Sequence, residues 1–258
     1  MNPELCGSYT RSVAMMGTVF SFDLRAPASA RAAAAQAVDA AVGWLRWVDN
    51  NFSTYKENSA VNRFDRGELA AGDVASELAR VLALCHQFNK ESEGYFDAWA
   101  GGRFDPSGVV KGWSIEAASE LLNKCGFADH CVDGGGDLRL RGLARPGTRW
   151  TVGLRHPLQR AGLAAALALG AGAVATSGTY ERGTHVVDPM TGRAATDLAA
   201  VTVVGPDLVA ADAYATAALA MGARAPDWLC GLCGYESQVI TPAGRGWSTP
   251  GFKRLRVA

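Results

Sequence analysis

Long apolar runs are missing: nowhere does the chain approach the roughly 18 consecutive apolar residues of a membrane-spanning helix, so no membrane span is predicted. An excess of one charge is missing too. Lys plus Arg and Asp plus Glu number 25 each, and a chain with no net charge has no built-in attraction to nucleic acid, anionic membrane or another polyanion. Cysteine is sparse. The six thiols, Cys6, Cys85, Cys125, Cys131, Cys230 and Cys233, are scattered along 258 residues, and a chain of that length can build a core without disulfides, so they are expected to be mostly buried. Repeats, low-complexity linkers and long charge blocks are absent, and a single domain over residues 1–258 is predicted. The N-terminal segment also lacks the apolar stretch of about 7–15 residues behind a basic head that an export signal needs. Cys6, after Leu5, therefore has no apolar segment before it to mark a lipid-anchored cysteine, and the expected location is the cytoplasm.

What is present is the balance of a globular chain, with 48% hydrophobic and 19% charged residues. Thr18–Leu24 alternates Phe20, Phe22 and Leu24 on one side, the period of a half-buried strand. Ser29–Asn50 spaces its apolar residues as a long amphipathic helix, and Ser76–Glu91 repeats the pattern. A third helix is predicted between Gly112 and Gly126 and a fourth over Ala210–Met221. Short strands are predicted at Cys131–Val132, Leu138–Leu140, Trp150–Leu154, Ala164–Leu169, Ala173–Thr176 and Ala200–Val204, with Val239–Thr241 and Leu255–Val257 closing the fold. Strands and helices do not alternate regularly, which favours an α+β fold over a doubly wound parallel sheet.

Several segments hold residues able to carry chemistry. Asp133-Gly134-Gly135-Gly136-Asp137 sets three glycines between two carboxylates; it reads as a hairpin turn or as a close backbone approach to a ligand. A strand-like Leu-Arg-Leu follows it, so a dinucleotide fingerprint is excluded. Asp212 and Thr216 lie four residues apart on one helix face among small side chains. Their oxygens suit a hard cation such as Mg2+, or else Asp212 serves the helix dipole and Thr216 packs by its methyl. Tyr55 ends a polar loop where its ring can stack on a flat heterocycle. Lys111, ahead of the predicted third helix, would suit a phosphate. His185 lies between predicted strands and could act as a base or hold a substrate. His86, His130 and His156 have no carboxylate or cysteine partner at metal spacing, and the lone Cys230-Gly-Leu-Cys233 supports neither a zinc ribbon nor a thioredoxin motif.

Taken in order, the segments Met16-Gly17-Thr18, Phe52-Ser53-Thr54-Tyr55 with Ser59 and Asn62, Gly94-Tyr95-Phe96-Asp97, Asp105 to Gly112, Asp133 to Asp137, Thr176-Ser177-Gly178 with Tyr180, His185 to Gly192, and Ala211 to Thr216 resemble the ApbE family of FAD:protein FMN transferases. The resemblance spans nearly the whole chain. It implies a single T-fold-like α+β domain with a mixed, mostly antiparallel sheet, and a Mg2+-dependent transfer of FMN from FAD to a Thr or Ser hydroxyl in the short flavinylation motif of an acceptor flavoprotein, releasing AMP. By position it places the metal on Asp212, Thr216 and the Gly108 carbonyl, and FAD against Met16, Tyr55, Tyr95, Phe96, Asp97, Asp105, Lys111 and the backbone at Val186. It also places His185 beside the pyrophosphate and the acceptor hydroxyl, and because that hydroxyl needs a base or metal assistance, His185 is the first candidate base, with Asp188 as its orienter. Ser114, Glu116 and Asp133 depart from the family's usual Ala, Asp and Asn. An FAD pyrophosphatase giving FMN and AMP is the nearest alternative, since water could replace the acceptor hydroxyl. A non-catalytic flavin-binding protein and a protein-interaction module are the others.

Overall fold

The computed structural model describes residues 7–69, 76–159, 161–179 and 186–257. The chain opens with a hairpin of β1 (Ser8–Met15) and β2 (Thr18–Arg25), in full antiparallel register from Ser8 opposite Arg25 to Met15 opposite Thr18. Its two-residue turn, Met16-Gly17, has both φ positive, at 50° and 71°, the handedness that matches strand twist in a tight hairpin. β2 follows the predicted alternation, burying Phe20, Phe22 and Leu24. β1 alternates between exposed and half-buried residues, so it carried no apolar period to detect.

Among the described residues, four α-helices follow before the sheet resumes: α1 (Arg31–Phe52), α2 (Ala60–Asp65), α3 (Ser76–Glu91) and α4 (Ser107–Lys124). The apolar positions of α1 and α3 point inward as their spacing predicts: Ala34, Val38, Val42 and Leu45 in the one, Leu78, Val81, Cys85 and Phe88 in the other. α4 begins at Ser107, before the predicted start after Gly112. Lys111 therefore lies inside the helix rather than ahead of it. Glycines at 108 and 112 weaken a helix, which hid this first part of α4 from its sequence.

The chain then returns to pair β3 (His130–Gly134) against β2 and builds outward through β4 (Asp137–Arg141), β7 (Gly172–Gly178), β10 (Ala200–Gly205), β11 (Glu236–Ile240) and β12 (Gly246–Ser248). Every pairing in this eight-stranded sheet is antiparallel. The hairpins β5 (Trp150–Arg155) with β6 (Leu163–Leu169), and β8 (Val187–Asp188) with β9 (Arg193–Ala194), loop out of it. α5 (Leu208–Met221) and α6 (Ala225–Cys230) connect β10 to β11, and α7 (Pro250–Leu255) ends the chain. The predicted strand at Leu255–Val257 is thus corrected to the end of a helix, followed by a single bridge of Arg256 to Leu167. Pro250 at the helix start and the Glu236 carboxylate accepting from Phe252 N favour that helix.

Two cores lie on opposite faces of the sheet. Strand alternation sends Ala173, Ala175, Val201 and Val203 into the larger cluster with α1, α4 and α5. Val174, Val204 and Leu140 join the smaller one under β5–β6, with Trp150, Leu167 and Phe252. The cysteines correct the expectation of burial: of those described, Cys85 is buried and Cys131 half-buried, while Cys125, Cys230 and Cys233 are exposed. Cys6 lies outside the described residues.

Candidate functional site

α5 is apolar on all sides and almost wholly buried, so a carboxylate within it needs a partner. Asp212, 2% exposed, has Oδ2 accepting from Gly112 N of α4 at 2.9 Å. Gly112 is what lets the helices meet. A Cβ there would stand 2.7 Å from the Leu208 carbonyl and 3.0 Å from Asp212 Cβ. The helix-dipole role falls instead to Asp207, the N-cap, whose side chain accepts from Ala210 N. α5 accordingly begins at Leu208, ahead of the predicted Ala210.

One turn further along α5, Thr216 Oγ1 lies 3.2 Å from Ser177 Oγ on β7. Gly108, near the start of α4, faces it: a Cβ at 108 would lie 3.4 Å from Thr216 Oγ1 and 3.0 Å from Phe96 Cε2. The structure therefore brings Gly108 and Phe96 to Thr216, and Gly112 to Asp212 one turn back on the same helix, across the contact of α4 with α5. Lys111 joins them. Its ammonium lies 2.6 Å from Asp137 Oδ2 and 3.9 Å from Asp212 Oδ1.

The glycine-rich segment is a hairpin turn between β3 and β4, with Gly135 and Gly136 at positive φ and the Asp133 carboxylate accepting from Gly136 N. It is also a close approach. Gly135 N donates to the Val19 carbonyl, and a side chain at 135 would collide with Thr18, so this turn abuts the Met16-Gly17 hairpin. Met16 holds its left-handed backbone without being glycine, a conformation that costs energy and concentrates at functional positions.

Tyr55 is 96% exposed in the turn after α1. The turn is fixed from beneath by Asn62, whose Nδ2 donates to the carbonyls of Thr54 and Lys56. Tyr95 and Phe96 are buried, with the Phe96 carbonyl accepting from Asn89 and the Tyr95 hydroxyl accepting from Arg224. Asp97 accepts from Trp99 N and Asp105 from Ser107 N. Val186 is committed through its carbonyl to Ala195 N. Asp188 builds a turn, its two oxygens accepting from Met190 N and the Thr191 hydroxyl. His185 and Tyr180 lie outside the described residues.

Other histidines are accounted for locally. His130 is fully buried between Ser119 Oγ at 2.7 Å and the Phe127 carbonyl at 2.7 Å, and burial pushes its pKa down to about 4. His156 Nδ1 accepts from Leu158 N. Sequence reasoning did not single out Arg224, and it named Ser177 only within a family segment and Glu116 only as a departure from the family, without the partners that the fold gives them. Glu116 accepts from Leu208 N and from Arg139, tying α4 to the start of α5 and to β4. These partners sit 39, 129 and 92 residues from the groups they bond, and no local pattern signals such pairs.

The model of the ApbE family matches residues 16–103 and 98–234. Among curated proteins, the FAD:protein FMN transferase of Vibrio cholerae is 32% identical over 128 residues, 46% of this chain and 38% of that protein. The protein of the same name from Salmonella typhimurium is 29% identical over 167 residues, 60% of this chain and 48% of the relative. These matches thus span about half or less of the relatives' length. Among solved structures, the ApbE protein of Thermotoga maritima superposes with a TM-score of 0.84 at 21% identity, covering 98% of this chain and 100% of that one. A flavinyl transferase ApbE of Pseudomonas stutzeri, in its apo form, gives 0.81 at 22% identity over 99% and 98%. A match running from residue 16 to residue 234, on a fold shared nearly end to end with solved ApbE structures, makes this chain a member of the ApbE family.

Proposed function

We propose that the chain transfers the FMN half of FAD to a Thr or Ser hydroxyl of an acceptor flavoprotein, releasing AMP. The observation that carries the reading is the convergence of Gly108, Asp212 and Thr216, with the Lys111 ammonium beside them. The relatives' name, FAD:protein FMN transferase, supports the choice of substrate.

The donors fit Mg2+. A carboxylate, a hydroxyl and a backbone carbonyl offer oxygen alone, as a hard cation requires, and the space beside Thr216 is one that a side chain at 108 would fill. Asp212, Thr216 and the Gly108 carbonyl would hold the ion, which when bound neutralises pyrophosphate charge and makes phosphorus more electrophilic. Asp212 is held for this by Gly112 N, and Thr216 by Ser177. Lys111 adds a positive charge beside the phosphates. Tyr55 offers an exposed ring for stacking, and Met16 borders the glycine turn.

In the reaction, the acceptor oxygen bonds to the FMN phosphorus while the bond from phosphorus to the AMP oxygen breaks. The hydroxyl proton needs a base, and we assign it to His185, with Asp188 able to orient it through lone pairs not used by its own turn. This assignment rests on the sequence resemblance. The location stays an expectation, the cytoplasm; among the described residues no helix is long and apolar enough to cross a membrane.

Incubation with FAD, Mg2+ and an acceptor bearing a candidate Thr tests the reading by AMP release and acid-stable protein-bound flavin. Covalent flavin is expected, and Asp212→Asn is expected to abolish it while leaving the fold intact. AMP with free FMN and no labelled acceptor would turn the reading to the pyrophosphatase. No AMP at all would overturn both. Full transfer by His185→Ala would remove that residue from the mechanism.

A further inference from the structure

Asp137 stands at the start of β4, directly after the glycine turn, with its side chain 1% exposed. Oδ1 accepts from Thr176 N at 2.9 Å. Among the described residues, Oδ2 has the Lys111 ammonium at 2.6 Å and no other donor. The same ammonium is 3.9 Å from Asp212 Oδ1, outside hydrogen-bond contact, while Asp212 Oδ2 is engaged by Gly112 N. One cation thus lies between two carboxylates and is paired, by distance, with the one that is not a metal donor.

We propose that Asp137 is a positioning residue: its carboxylate holds the Lys111 ammonium off Asp212 and thereby sets the affinity of Asp212 and Thr216 for a divalent cation. The inference rests on the divalent-cation site proposed above. An ammonium and a metal ion compete for the same carboxylate oxygens, because contact with either neutralises the charge that would attract the other. Lys111 is tethered on α4, one residue before the glycine that touches Asp212, so it cannot leave the neighbourhood. Its choice between these two carboxylates is decided by Asp137. The glycine turn makes this geometry, since it returns the chain from β3 so that residue 137 enters beneath α4. An asparagine at 137 keeps the size and the acceptor for Thr176 N but loses the charge, and the ammonium then falls to Asp212.

The test uses the full chain without flavin and titrates Mn2+, followed by loss of the free-ion electron paramagnetic resonance signal, with thermal unfolding recorded for each variant. Asp137→Asn is expected to weaken Mn2+ binding about 10- to 100-fold, the range seen when outer partners of metal ligands are removed. Adding Lys111→Met to Asp137→Asn is expected to restore affinity toward the wild-type value. If Asp137 served the hairpin alone, removing the lysine could not repair the loss, so a double variant as weak as Asp137→Asn overturns the proposal. Unchanged affinity in Asp137→Asn overturns it as well. Should Asp137→Asn fail to fold, Asp137→Ser takes its place, alone and with Lys111→Met: weaker binding that the lysine change restores supports the proposal, and weakening that it does not restore, or no weakening, overturns it. A wild-type chain that binds no Mn2+ removes the cation site itself, which is a failure of the functional reading and is seen before any variant is compared.

Discussion

Gly112 and His130 are two residues whose roles differ from what their types imply. A glycine inside a helix reads as a weakness, yet at 112 the α5 backbone lies so close that a single added carbon would meet the Leu208 carbonyl at 2.7 Å. Overpacking of this kind costs about 1–3 kcal/mol, more than the ~1 kcal/mol that alanine gains in helix propensity. Gly112→Ala is therefore expected to lower the urea midpoint and, by moving Asp212 relative to Gly108, to weaken Mn2+ binding. A midpoint at or above wild type would show that the helices can part without cost. His130 gives a pH dependence. Buried and bonded to Ser119 and Phe127, it has a folded-state pKa of about 4, below the ordinary value of 6.5. The unfolded chain therefore takes up the proton first as pH falls, and stability held above about pH 6.5 is lost progressively down to about pH 4. At pH 5 the loss from this group is roughly 2 kcal/mol. Replacement by Gln should flatten the stability profile between pH 7 and pH 5, and a parallel profile in the variant would refute the assignment. The sequence showed that His130 had no metal partner; that Ser119 would meet it, eleven residues back on α4, depended on strand β3 turning under that helix.

At the scale of elements, the short α2 is there to shape the turn before it. Ser59 caps it by accepting from Asn62 N, and Asn62 reaches back to the carbonyls of Thr54 and Lys56, leaving Tyr55 projecting. Asn62→Ala removes both of those bonds while leaving the ring itself unchanged. It is expected to raise the apparent FAD KM several-fold with little change in kcat, as follows when uniform binding is lost. A fall in kcat at constant KM would move the turn from binding to chemistry. Ser59, Asn62 and Tyr55 were legible together in the sequence as a motif, but the helix that joins them was not, because six residues are too few to show a period. The longer α3 was legible to its boundaries. α4 was legible only after Gly112, within its second turn, since the glycines that admit Thr216 and Asp212 are the residues that weaken a helical pattern.

Across the whole molecule, the sheet separates two cores, and the site belongs to one of them. Asp212, Gly108 and Gly112 lie in the helical layer, whereas Leu167, fully buried, packs with Trp150 and Phe252 beneath the β5–β6 hairpin on the opposite face. Leu167→Ala is expected to cost about 2–5 kcal/mol of stability while the folded fraction keeps wild-type Mn2+ affinity, since distant sites without shared partners behave independently. Equal loss of both would show that the sheet transmits strain between its faces. The sequence by itself determined the α+β class, most of the strands and long helices, and the candidate ligands Asp212 and Thr216, because period and i to i+4 spacing are local properties of the chain. It determined the family through motifs spread from Met16 to Thr216. Only the tertiary structure decided which residues meet: Gly108 against Thr216, Gly112 against Asp212, and Lys111 paired with Asp137 rather than Asp212. Those contacts join positions up to 108 residues apart, and they are set by how two helices cross and where a hairpin returns, which no local pattern encodes.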